Sequence, residues 1–174
     1  MQKNVSLWQF AGFCLSSLGG TLLHFLYDWT AKSLLVAPFS GVNESTWEHM
    51  KLLFFPLFLF AWIQSHYFKA YKRFWCAKLI GITAGLISIP VLFYTYNGAF
   101  GKSPDWFNIT IFFIATALAF LLEWRLFKQK NMSCKLPRLA FLALCIIGVL
   151  FILFTFFPPN IPLFADPLTK TYGI

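Results

Sequence analysis

Five long apolar stretches, joined by short polar segments, constrain this chain more than any other feature. Crossing about 30 Å of hydrocarbon takes roughly 20 helical residues. Each stretch is close to that length, and its central portion contains no Asp, Glu, Lys or Arg. The stretches cover residues 7–27, 46–68, 76–95, 106–127 and 139–157. The sequence therefore predicts one all-α domain, residues 1–174, built as an integral membrane bundle of about five transmembrane helices.

The composition identifies the solvent of this bundle. The chain is 59% hydrophobic and 11% charged, whereas soluble domains are about 45–50% apolar and about 25% charged. Too little polar surface exists to cover the apolar atoms in water, so we expect a lipid bilayer as the partner. The first stretch is too long for a typical signal peptide and lacks a small-residue cleavage site, which predicts a retained helix.

The basic residues predict an orientation. Ten of the 14 Lys and Arg residues fall at the N-terminus and in the second and fourth connections. Cytoplasmic loops carry such an excess, so we expect the N-terminus inside and the C-terminus outside the inner (plasma) membrane. The same distribution explains the net charge of +8 without nucleic acid as a partner. The ten residues are Lys3, Lys69, Lys72, Arg73, Lys78, Arg125, Lys128, Lys130, Lys135 and Arg138.

The four cysteines do not form a pattern typical of a disulfide framework. Two lie inside apolar stretches, and Cys76 and Cys134 lie in connections predicted to face the cytoplasm. We therefore expect free thiols that pack as small hydrophobic residues.

Three local features predict how the chain packs. Gly81 and Gly85 form a GxxxG pattern, which allows close approach of two helices in lipid. The first connection, residues 28–45, is apolar in part but too short to span, so we expect it to re-enter the membrane or lie at its interface. The proline-rich tail, residues 158–174, is expected to fold over the outer face.

Polar side chains gather at the helix ends predicted to face outward. On the first helix, residues 17, 20, 24 and 28 are spaced by three or four positions, which keeps them on one face. Four of the nine residues 43–51 are titratable, and the third helix and the tail contribute further polar groups. We expect these residues to line one outward-facing pocket for a small molecule or ion. The candidates are His24, Asp28, Asn43, Glu44, Glu48, His49, Lys51, Tyr94, Tyr96 and Asp166.

One interpretation of this cluster is a divalent metal site or a catalytic centre. His24, Glu44, Glu48 and His49 offer imidazole and carboxylate ligands suited to zinc, iron or manganese. Such a site would keep a coordination position open for water or substrate. Without a metal, a buried histidine beside a carboxylate is suited to general-base catalysis or proton relay.

The other interpretation of the cluster is purely structural. Ser45 and Glu48 match a capping box, and acidic residues near a helix N-terminus interact favourably with its dipole. Asp28 has the spacing to pair with Lys32.

Three segments resemble a group of small bacterial multi-pass membrane proteins catalogued as a domain of unknown function. The segments are the run Leu23-His24-Phe25-Leu26-Tyr27-Asp28-Trp29, the run from Val42 to Leu52 with its Asn-Glu-Ser-x-Trp-Glu-His-x-Lys signature, and the ending Phe164-Ala165-Asp166-Pro167 with Tyr172-Gly173-Ile174. The resemblance spans nearly the whole chain and implies a bacterial inner-membrane location. It implies no substrate or reaction.

Three functions remain open at this point. The chain is a membrane-embedded enzyme or metal-binding protein, a small-molecule carrier or substrate-capture subunit of a transporter, or a structural or assembly factor without a site. No nucleotide-binding motif occurs, so energised transport would require partner subunits.

Overall fold

The computed structural model describes residues 4–129 and 133–174, and this part of the chain folds into five α-helices and one 3₁₀ turn. The predicted all-α fold class is confirmed. The helices are α1 (Val5–Trp29), α2 (Thr46–Tyr67), α3 (Phe74–Phe100), α4 (Asp105–Lys128) and α5 (Pro137–Phe156), and the 3₁₀ turn is Pro162–Phe164. Sequential helices run in opposite directions. We call the end that contains the C-termini of α1, α3 and α5 the site end, and the opposite end the basic end.

Four of these helices, α1, α3, α4 and α5, are long and apolar enough to cross a membrane by length and composition. The second helix, with 22 residues, is not in that group, although the sequence analysis predicted it as a span. It carries Glu48 and Lys51 near its start and Gln64 near its end, all buried. Because its neighbours shield it from lipid, α2 tolerates polar residues that a lipid-facing helix does not.

The core is built around α2. Leu53, Phe54 and Leu57 are at most 2% exposed and pack with residues of α3, α4 and α5. By contrast, the outward faces of α1 and α5 expose large apolar side chains such as Phe10 and Val149. This is the distribution expected of a bundle whose outer surface is solvated by lipid.

Glycines bring the helices into close contact. A Cβ atom at Gly81 would collide with Glu123 and lie 2.8 Å from the carbonyl oxygen of Ala119, and one at Gly85 would lie 3.0 Å from that of Ala115. The GxxxG pattern therefore seats α3 against the backbone of α4, as predicted. On α1, Gly12 makes an equally close contact with an aromatic ring of α4.

Cys76 and Cys134 form a disulfide that ties the start of α3 to the connection before α5. The sequence analysis expected two free thiols at these positions and was wrong. The Cα atoms lie 6.2 Å apart, within the range that a disulfide spans. The pairing was not visible in the sequence because 58 residues separate the two cysteines. Cys14 and Cys145 are free.

The two long segments at the site end are tied to the bundle. In the first connection, the hydroxyl of Ser40 accepts a hydrogen bond from the amide of Tyr27 at 2.8 Å and donates one to the carbonyl of Leu23 at 2.7 Å. In the tail, Ala165 and Tyr172 form an antiparallel bridge, which folds the last residues back on themselves. Both segments therefore pack over the ends of the helices.

Candidate functional site

A cavity of about 680 Å³ opens at the site end between α1, α2, α3 and α4. Its inner walls are apolar and include Leu52, Ile89 and Phe112. A Cβ at Gly20 would collide with the ring of Phe112, so α1 and α4 touch at this point. The cavity begins next to this contact. Beyond this contact the space between the helices widens toward the site end.

Two histidines and a glutamate meet at the rim of this cavity. The Nε2 atom of His24 lies 3.6 Å from Oε1 of Glu44, and Nε2 of His49 lies 3.6 Å from Oε2 of the same carboxylate. The two imidazole centroids are 5.9 Å apart. All three side chains line the cavity and are partly exposed, between 25% and 44%. The carboxylate of Glu44 is thus flanked by one imidazole on each side.

A local hydrogen bond positions His49, and contact with the first connection positions His24. The Nδ1 atom of His49 lies 2.9 Å from the carbonyl oxygen of Ser45, one turn earlier. A carbonyl only accepts, so Nδ1 carries a proton, and in the neutral form of the ring Nε2 is then an acceptor next to Glu44. Leu23, the residue before His24, accepts a hydrogen bond from Ser40 through its carbonyl. The ring of His24 lies against the backbone of Gly41.

Glu48 and Lys51 lie behind the rim and do not line the cavity. Their side chains are 3% and 0% exposed and form an ion pair of 2.6 Å. The ammonium also donates to the carbonyl of Ala37 at 2.9 Å and to the hydroxyl of Thr155 at 2.8 Å. The carboxylate accepts the amide of Val42 at 3.0 Å. This pair therefore joins α2 to the first connection and to α5.

The predicted capping box forms in part. The Ser45 hydroxyl accepts the amide of Glu48 at 3.3 Å. The Glu48 carboxylate does not return to the amide of Ser45, which instead donates to Oδ1 of Asn43 at 2.9 Å. The ion pair with Lys51 draws the glutamate away from the cap.

Asn43 and Asp166 connect the tail to the rim. The Asn43 amide donates to the carbonyl of Gly173 at 2.9 Å. The Asp166 carboxylate accepts the amides of Leu168 at 2.7 Å, Thr169 at 3.3 Å and Glu44 at 3.4 Å. Burial opposes ionisation of Asp166, but these hydrogen bonds outweigh it and hold its pKa below the ordinary value of 3.8. The two side chains fasten the tail, and Leu168 lines the cavity.

Three further sequence candidates, besides Asn43, Glu48, Lys51 and Asp166, do not line the cavity. Asp28 is exposed at the end of α1, and its predicted pairing with Lys32 does not form because Ala31 and Lys32 have left the helix with φ of 52° and 60°. Tyr94 and Tyr96 are on α3 but do not line the cavity. Each residue turns a helix by about 100°, and the residues of α3 that line the cavity are instead Ile89, Phe93 and Asn97.

The sequence analysis missed a polar network on the opposite side of the rim. Asn97 accepts the amide of Ser103 at 2.9 Å through Oδ1, and the Ser103 hydroxyl donates to Oδ1 of Asn108 at 2.8 Å. All three residues, with Lys102 and Asp105, line the cavity. The signal available in the sequence was the position of Asn97 and Ser103 in the short connection between the third and fourth apolar stretches, and of Asn108 at the start of the fourth.

Three of the four predicted metal ligands, His24, Glu44 and His49, meet at the rim, and the fourth, Glu48, does not join them. Glu48 is engaged by Lys51, which leaves two histidines and one carboxylate of the four predicted ligands. Within residues 4–129 and 133–174, no group of three or more His, Cys, Asp or Glu side chains is arranged to hold a metal ion. The divalent-metal interpretation therefore stays a prediction from the sequence.

Neither a curated protein nor a solved structure matches this chain. A family profile does match it, and the match covers residues 1–174. The chain belongs to a family of unknown function, DUF6512.

Proposed function

We propose that this protein binds a membrane-resident amphipathic small molecule in the cavity at the site end. The observation that carries the proposal is the division of the cavity into apolar walls and a polar rim. Its volume of about 680 Å³ falls within the roughly 300–1,000 Å³ of small-molecule sites. The apolar part of the ligand would lie among Leu52, Ile89 and Phe112, and its polar head at His24, Glu44 and His49.

The position of the opening supports entry from the bilayer. Phe25 of α1 and Ile109 and Phe113 of α4 line the cavity and are also 46%, 60% and 39% exposed on the surface of the bundle. Side chains that face both the cavity and the surface mark the gap between α1 and α4. An amphipathic molecule dissolved in lipid would enter through this gap without crossing water.

The chemistry of the rim favours an uncharged head that bears a hydroxyl group. The carboxylate of Glu44 and the Nε2 atom of neutral His49 are both acceptors, and they face each other at 3.6 Å. A ligand hydroxyl lying beside both atoms would donate its one hydrogen to either of these acceptors. The formal charges of Lys102 and Asp105, which also line the cavity, balance each other and leave the carboxylate of Glu44 as the net charge, so the rim does not favour an anionic head.

We further propose that the site end faces outward from a bacterial inner membrane. The excess of Lys and Arg at the basic end supports this orientation. The Cys76–Cys134 disulfide at the same end argues the other way, because disulfides persist in oxidising compartments.

The proposal is tested by analysing the lipids that copurify with matched variants. Thr21 lines the cavity, so a Thr21→Trp substitution would fill it. Leu18, three residues earlier on α1, is 57% exposed and lies outside the cavity, so Leu18→Trp is the control. We expect a hydroxyl-bearing amphiphile, enriched over bulk lipid, in extracts of the wild type and Leu18→Trp but not of Thr21→Trp. Identical extracts from all three proteins would refute the proposal.

A further inference from the structure

The basic half of the bundle contains four buried polar side chains, each from a different helix. They are Gln9 of α1, Gln64 of α2, Lys78 of α3 and Glu123 of α4, and none is more than 4% exposed. Lys78 and Glu123 form an ion pair of 2.6 Å between Nζ and Oε2. Ionisable side chains within a membrane bundle are costly and usually functional. This group is separate from the cavity at the site end, which it does not line.

Helix register places these side chains at one level. Gly12 of α1 packs against the rings of Phe60 and Phe120. Gln9 lies three residues before Gly12, whereas Gln64 and Glu123 lie four and three residues after the two phenylalanines. Because α1 runs opposite to α2 and α4, all three displacements point toward the basic end. At about 1.5 Å per residue, each is about one turn below the aromatic contact.

Lys78 reaches the same level from α3. Its ammonium lies 5.6 Å from the ring centroid of Phe60 and 5.3 Å from that of Phe120. The ion pair is therefore directly beneath the aromatic contact at Gly12.

Five polar atoms of this group have no hydrogen-bond partner among the described residues. They are the oxygen and nitrogen of the Gln9 amide, the same two atoms of Gln64, and Oε1 of Glu123. Buried polar atoms are costly to leave unpaired and are normally satisfied by protein or by bound water. Three of these atoms are acceptors and two are donors.

We propose that this group is a second binding site, occupied by water that joins Oε1 of Glu123 to the amides of Gln9 and Gln64. Water both donates and accepts, so it satisfies the amide nitrogens as well as the three oxygens. A cation would satisfy only the oxygens and would lie near the ammonium of Lys78. Since Lys78 already balances the charge of Glu123, the site favours a neutral occupant.

The site is closed on both sides by aromatic layers. Phe60 and Phe120, whose centroids are 5.9 Å apart, separate it from the space toward the site end. Phe68, Phe74 and Phe127, at most 4% exposed, pack together toward the basic end. Water held between these layers is occluded and solvates the ion pair inside the membrane bundle.

Radiolytic hydroxyl labelling of the full chain in nanodiscs tests this site, because radicals form from bound water and modify the nearest side chains. We expect Phe60 and Phe120, which are 6% and 4% exposed, to be labelled several-fold more than Phe54 and Phe151, which are at most 1% exposed and lie in the site-end half of the same core. Equal labelling of the two pairs in the wild type would overturn the proposal, and this comparison requires no variant.

Two further arms identify the occupant. Gln9→Leu combined with Gln64→Leu should reduce the labelling of Phe60 to that of Phe54, and unchanged labelling in this variant would contradict the site. Wild-type protein is also labelled in sodium chloride and in choline chloride. Equal labelling in the two salts is expected for water. A loss of labelling and a rise in the melting temperature specific to sodium would identify a cation and overturn the assignment to water.

Discussion

The ammonium of Lys51 lies 2.6 Å from the carboxylate of Glu48, and neither side chain reaches the cavity. Their roles are therefore architectural, although both belong to the signature segment that includes the rim residues Glu44 and His49. We therefore expect substitutions of Lys51 and Glu48 to change stability, and substitutions of Glu44 to change ligand retention.

We predict that Lys51→Met destabilises the fold. The substitution leaves the buried Glu48 carboxylate without its counter-ion, at a cost of about 3–5 kcal/mol. The double variant Lys51→Met with Glu48→Leu removes both charges and should recover most of this loss. The measurement is denaturant unfolding in a defined detergent, and a single variant as stable as the wild type would contradict the structural role.

We predict that Glu44→Gln weakens ligand retention without a large loss of stability. The side chain of Glu44 is 44% exposed and lies between two imidazoles, so its carboxylate is available to a ligand hydroxyl. Hydrogen bonds to charged groups contribute about 1.5–3 kcal/mol, which corresponds to at least about a tenfold loss of affinity. Quantifying the copurified amphiphile measures the effect.

Asp28→Asn is the matched control for Glu44→Gln, because Asp28 is acidic and exposed at the site end but lies outside the cavity. Its ligand content should equal that of the wild type. Equal losses in both variants would indicate an effect of net charge and would contradict a specific role for Glu44.

We predict that acid releases the C-terminal tail. The pKa of Asp166 is held below the ordinary 3.8 by amide hydrogen bonds, so its ionised form stabilises the folded tail. This contribution is complete above that ordinary value and is lost as the pH falls through the lowered pKa. Hydrogen exchange of residues 165–172 should be constant from neutral pH to about pH 4, after correction for intrinsic rates, and accelerate below it.

The variant Asp166→Asn separates this group from other acid effects. It cannot ionise and has one carbonyl oxygen in place of two carboxylate oxygens, so its tail should exchange rapidly at neutral pH as well. Slow exchange at neutral pH in this variant would show that Asp166 does not fasten the tail.

We predict that the Cys76–Cys134 disulfide reports the orientation of the bundle. If the basic end is outside, intact cells should contain the oxidised pair, and a membrane-impermeant maleimide should label both cysteines after mild reduction. The proposed orientation places the basic end in the cytoplasm, so we expect the maleimide to label both cysteines only after permeabilisation and reduction of the disulfide. Cys14 and Cys145 are replaced by alanine so that the maleimide reacts only with Cys76 and Cys134.

The sequence alone was sufficient to locate the helices and to predict part of the site. Helices could be located because each must present about 20 apolar residues to lipid, and the spacing on α1 indicated that His24 faces the interior. It could not show that Lys51 turns away from the rim, because its partner Thr155 is 104 residues away. Nor could the sequence show that Phe93 lines the cavity and Tyr94 does not, because neighbouring residues on a helix point about 100° apart.

The most direct test of the account is to map where an amphipathic probe reacts in the protein. The probe is a long-chain alcohol with a photoreactive diazirine in the middle of its chain, added to the protein in nanodiscs. We expect adducts on Leu52 and Ile89, which are 3% exposed and are reached only from within the cavity, and loss of these adducts in Thr21→Trp. Adducts confined to lipid-facing residues such as Ile87 and Leu121, which are 55% and 57% exposed, would contradict a ligand in the cavity.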